Sequence, residues 1–233
     1  MYAMLTAASS ANRSRYQELV TESNTHKTEA NDLFSSAKYQ DAIAKYDEAV
    51  AVCPNYLNYE LAVLKSNIAA CYLKLEEWKE VVKSASEAIS GLDKLEKQTK
   101  EKENEKPAAK DDKDDDVEAE IVSNGATKAA PAAHANETAA EQAARKRAED
   151  ITRIRAKALL RRAKARAELG GWSHLAGAEE DYKTLSAMTN LGLADRKLVQ
   201  AQLRILPPRV KAAQEKETQE MWGKLKDVSW LSY

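Results

Sequence analysis

Helical periodicity runs on both sides of Lys38 in the stretch "SNTHKTEANDLFSSAKYQDAIAKYDEAVAVCPNY", residues 23–56. It predicts two amphipathic helices joined by a short turn. Small residues (Ala30, Ala42, Ala49), large aromatics (Tyr39, Tyr46) and Pro54 fall at particular offsets from Ser23. The offsets have a packing logic. Small residues let two helices cross closely, aromatics fill the gap to the next unit, and proline stops the second helix. The same register returns from Ala62, with Ala69, Tyr72, Trp78 and Ala88, and again from Ala156, with Ala163 and Trp172. In the third copy Tyr182 arrives three residues late, so a small insertion is expected near "SHLAGA", and Leu185 stands where a small residue is usual. The pattern therefore predicts an all-α chain built as an α-solenoid of three helix–turn–helix units, two over 23–91 and one over 145–190.

Between the second and third units lies 92–144, rich in Lys, Glu, Asp, Ala and Pro and nearly devoid of large apolar residues. Such a segment buries too little surface to offset its ordering entropy, so a long disordered insertion is expected there. Its ends can extend the neighbouring helices, over 92–106 and 138–155. Loop closure costs only slowly more with length, so the stack can tolerate it. The Asp run at 111–116 is read as solvated linker or as a competitor for basic groups. Residues 1–22 are expected as a flexible lead-in. They are Ser/Ala-rich, with Arg13 and Arg15 before the first acid, which leaves a transit-peptide reading open. After the third unit, 191–233 reads as capping helices and a short tail. "GLADRKLVQAQLRIL" is one helix, Pro207 and Pro208 interrupt, and "PPRVKAAQEKETQEMWGKLKD" begins another. Trp222, Trp230 and Leu231 are expected to fold back on the cap or to serve as a partner's handle.

Composition narrows the function classes. Lys plus Arg is 36 and Asp plus Glu is 37, a net charge of -1. A nucleic-acid binder carries a basic surplus to neutralise phosphates, and none exists here. No apolar run reaches the roughly 20 residues that span a bilayer. Cys53 and Cys71 belong to no CxxC pattern and read as reduced, buried thiols of a cytoplasmic protein. His26, His134 and His174 have no metal-ligand spacing. Neither a Ser/His/Asp arrangement nor a phosphate-cradling glycine loop is present, so no enzyme activity and no cofactor are expected.

One local charge pattern stands out. "RAKALLRRAKARAEL", 155–169, carries six basic residues. Residues three and four apart share a helix side, so Lys157, Arg161 and Lys164 form one stripe and Arg155, Arg162 and Arg166 another.

The three-unit register resembles the tetratricopeptide repeat, a 34-residue helical hairpin. The resemblance implies that the first stripe lines the concave groove, and that the second faces outward or sideways as solvated charge. It also implies a site. Lys27, Asn31, Asn67, Lys157 and Arg161 match the dicarboxylate clamp of co-chaperone tetratricopeptide domains. Those domains grip the C-terminal Glu-Glu-Val-Asp tails of seventy- and ninety-kilodalton heat-shock chaperones. Phe34 and Ala70 match a pocket for the Val, Lys74 matches a supporting basic position, and Lys164 continues the basic stripe. The implied partners are a chaperone tail plus an unidentified client or effector. A general scaffold for other acidic peptides or small-GTPase signalling proteins is the alternative.

Overall fold

The computed structural model describes residues 2–104 and 139–230. Seven helices follow one another, and no strand occurs among the described residues: α1 (Tyr2–Ser35), α2 (Tyr39–Val52), α3 (Asn58–Lys74), α4 (Trp78–Asn104), α5 (Ala139–Leu169), α6 (Trp172–Ala187) and α7 (Leu193–Trp230). Each packs on the next, and within each hairpin a short turn makes the two helices antiparallel neighbours.

The sequence register explains the hairpins. Tyr39, Trp78 and Trp172 each open the second helix of a pair. Ala30, Ala69 and Ala163 sit where the paired helices cross, and all three are fully buried. Ala42, Ala49 and Ala88 are equally sealed. The first two turns share one cap. Lys38 N donates to Leu33 O and Glu77 N to Tyr72 O, while Ala37 and Glu76 both take φ of 60°. This is a left-handed helix stop. The third turn uses Gly170 and Gly171, at φ 68° and 73°, where glycine carries no Cβ penalty.

Repeats two and three stack despite the long stretch between them. Ala88 and Ile89 of α4 share a core with Ala158 and Leu159 of α5 and with Tyr182 of α6. Ala69 of α3 and Ala165 of α5 meet in another cluster. The late Tyr182 is absorbed without a bulge: α6 runs unbroken, and Leu175, Ala178, Tyr182 and Leu185 form one buried stripe. Three extra residues amount to nearly one turn of 3.6, so the face is kept.

Residues 2–22, expected as a flexible lead-in, belong to α1; the segment contains neither Gly nor Pro, and Tyr16 meets the Tyr56 ring edge-on at 5.8 Å. The insertion is helical at both ends, through α4 to Asn104 and from Ala139 in α5, as the extensions allowed. Its remainder, with the Asp run, lies outside the described residues. The two prolines do not split the cap: α7 passes through Pro207 and Pro208 as one helix. Both are exposed, as is Arg204, whose carbonyl loses its N–H partner to Pro208. Val199 and Leu206, buried in the α5–α6 core, hold the helix before the prolines, and Val210 packs on that core beyond them. Trp222 does not fold back; it is 59% exposed, beside Met221.

Candidate functional site

The first helices of the hairpins carry the predicted donors, and the geometry gathers most of them. At its centre is Tyr46 of α2, whose ring is 2% exposed. Its hydroxyl donates to Asn31 Oδ1 at 2.6 Å, and Asn67 of α3 lies near the same hydroxyl. Burial pushes the phenol up to about 12, reinforced by Cys71 and opposed by Arg161 and by Asn67. Asn31 is exposed and Asn67 half-buried.

Arg161 reaches the same place from α5. Its Nη1 donates to Ser66 Oγ at 2.7 Å and to the Ser66 carbonyl. Burial lowers its pKa, against the raising influence of Cys71 and Tyr46. A guanidinium nonetheless stays charged in proteins. One turn earlier, Lys157 is exposed. Its pKa is lowered first by partial desolvation, then by repulsion from Arg161 and Arg153, with Asp195 of α7 opposing. Lys27 lies one turn before Asn31. Its Nζ donates to Asn24 Oδ1 at 2.7 Å, and it lines a small pocket with Cys53, Glu60 and Leu64. Burial lowers its pKa, with Glu60 and Cys53 acting in the other direction.

Asn31, Asn67 and Arg161, from three separate hairpins, thus surround one phenol, with an ammonium one turn away at either end. The supporting positions are less uniform. Ala70 is half-buried on α3, and Lys74 and Lys164 are exposed. Phe34 is engaged inside the first hairpin, its ring edge-on to Tyr39 at 5.4 Å. Sequence reasoning missed the roles of Tyr46 and Ser66. Tyr46 was legible only as a packing aromatic, although a buried tyrosine hydroxyl calls for a hydrogen-bond partner.

The second arginine stripe is not solvated charge. Arg155 bonds Asp93 and Glu96 of α4. Arg162 grips Asp181 of α6 through Nε at 3.0 Å and Nη2 at 2.6 Å, and Arg166 adds Nη1 at 2.9 Å. Asp181 is 3% exposed. Carboxylates arriving from α4 and α6 neutralise this face, which periodicity within α5 cannot reveal. Among the described residues no group of His, Cys, Asp or Glu is set to hold a metal ion, and no helix is long and apolar enough to cross a membrane.

The described helices stack as hairpins, an α-solenoid with a groove of polar donors. No family model matches the chain. Over 63 residues it is 36% identical to the mitochondrial import receptor subunit TOM70 of Homo sapiens, a match covering 27% of this chain and 10% of that protein. The TOM70 subunits of Mus musculus and Rattus norvegicus match to the same extent. The matched part is thus a tenth of the length of these relatives. A TPR-like protein of Chlorobium tepidum aligns in structure with a TM-score of 0.46 and 13% sequence identity, over 85% of this chain and 98% of its own.

Proposed function

We propose that this chain is a cytoplasmic co-chaperone adaptor whose groove holds the C-terminal Glu-Glu-Val-Asp carboxylates of a seventy- or ninety-kilodalton heat-shock chaperone. It acts by binding and not by catalysis. The carrying observation is the convergence of Asn31, Asn67 and Arg161 on Tyr46. A C-terminal Asp offers two carboxylates on one residue, and such a dianion needs donors converging from more than one helix. Lys27, Asn31 and Asn67 hold the chain end; Lys157 and Arg161 hold the Asp side chain and nearby peptide groups. Phe34, Ala70, Lys74 and Lys164 border the remainder of the tail. In this reading 23–91 and 145–190 form the binding unit and 191–233 its cap. The closing "QEMWGKLKD" resembles tetratricopeptide repeat protein 1, a further pointer to the same class. The partial likeness to an import receptor subunit suits a groove that receives polypeptide.

Charge-assisted bonds contribute roughly 1.5–3 kcal/mol each before desolvation is subtracted. After ordering costs a short tail is expected to bind near micromolar, about -8 kcal/mol. The test is a calorimetric titration of the free Glu-Glu-Val-Asp peptide against its C-terminally amidated form. Amidation neutralises one carboxylate and should remove most of the binding; equal affinity for the two would refute the clamp. Lys157→Glu should abolish binding with helix content unchanged, since Lys157 is exposed.

A further inference from the structure

A tyrosine hydroxyl has one proton to give and two lone pairs to share. The Tyr46 proton is committed to Asn31 Oδ1. The Asn31 carbonyl is thereby turned back to α2, which leaves its two N–H groups for the groove. The phenol cannot follow a wandering amide, because its ring is sealed in a core with Ala42 of α2 and Leu64 and Ile68 of α3. Without the hydroxyl, the Asn31 carboxamide could turn over and set its carbonyl against an incoming anion, where it repels instead of donating.

We infer that Tyr46 is the positioning residue of the groove: its hydroxyl holds the Asn31 carboxamide N–H outward and so sets the preference for a free chain-end carboxylate over its amide. This rests on the carboxylate-binding reading and adds its specificity device. Tyr46 touches no ligand itself; it acts through Asn31.

The experiment measures, on the full chain, the ratio of affinities for the free-acid and the amidated Glu-Glu-Val-Asp peptide. Tyr46→Phe keeps the buried ring and deletes only the hydroxyl. It should weaken the free acid by about tenfold, equivalent to about 1.4 kcal/mol, and leave the amide unchanged, so the ratio falls by the same factor. A merely structural role would move the melting temperature and both peptides together. Tyr46→Phe placed on Asn31→Ala should add little, because its target is gone. Asn31→Asp, at an exposed position that any fold should tolerate, offers the hydroxyl one oxygen and the ligand the other. It should make the amide the preferred peptide. An unchanged ratio in Tyr46→Phe, or full multiplication of the two effects, would overturn the inference while leaving the clamp standing. A wild-type chain with no preference for the acid would overturn both.

Discussion

Asp181 is the point where loss of a single carboxylate should be felt across the third hairpin. It is buried on α6 and accepts three hydrogen bonds from Arg162 and Arg166 of α5. Asp181→Ala removes the shared acceptor and strands two guanidiniums whose side chains are only 17% and 22% exposed. Breaking a buried pair from one side costs about 3–5 kcal/mol, because the remaining charge stays desolvated. The residual exposure lets water reach the arginines, which puts the expected loss near the lower end, about 3 kcal/mol. For a chain of this length each kcal/mol moves the melting temperature by roughly 2–4 °C, so a fall of about 6–12 °C is expected. Far-ultraviolet circular dichroism on heating reads it directly. The triple exchange Arg162→Met, Arg166→Leu, Asp181→Leu should recover most of the loss, since a packed apolar triad carries no stranded charge. Below the transition, Asp181→Ala should keep the wild-type acid-to-amide ratio, because Asp181 meets the other stripe of α5 from the donors. A fall of less than about 2 °C would show that Asp181 does not neutralise the arginines as described.

Alkali should unfold the chain through three buried groups. Tyr46 and Tyr182 are raised from 10.0 to about 12, and Cys71 from 9.0 to about 11, in each case chiefly by burial. Their folded values lie above the unfolded ones, so their stabilisation is whole below about pH 9 and is lost between pH 9 and 12. Tyrosinate absorbance followed with circular dichroism should show two tyrosines ionising only with unfolding; their titration in the folded state near pH 10 would contradict their burial. Glu76→Gly and Ala37→Gly relieve left-handed backbone at the first two hairpin turns. Each should raise stability by about 0.5–1 kcal/mol in urea denaturation, and a loss would mean that the turns are not capped this way.

What was legible follows from what is local. An alanine at a helix crossing is required wherever two helices approach closely, so Ala30, Ala69 and Ala163 declared the hairpins in advance. The aromatic that opens each second helix fixed the turns to the residue. The five proposed donors are singled out only by their place in that register. The partners of Arg155 were not, because Asp93 and Glu96 lie 62 and 59 residues back along the chain. No periodicity within α5 announces a carboxylate supplied by another helix. The Tyr46 hydroxyl was hidden for a related reason: a residue that fits a packing role gives no sign of a second, polar one. The passage of α7 through two prolines went unseen because propensity weighs the broken hydrogen bonds and not the core contacts on either side.

The pairing of Arg155, Arg162 and Arg166 with α4 and α6 also limits what α5 can attract. Half of the cations in its densest basic run are already answered from inside the molecule, so the field that reaches solvent is weaker and narrower than a reading of the run suggests. A long polyanion gains by laying many phosphates along an extended cationic track. For the compact acidic terminus proposed above, the cations left on this run are Lys157, Arg161 and Lys164.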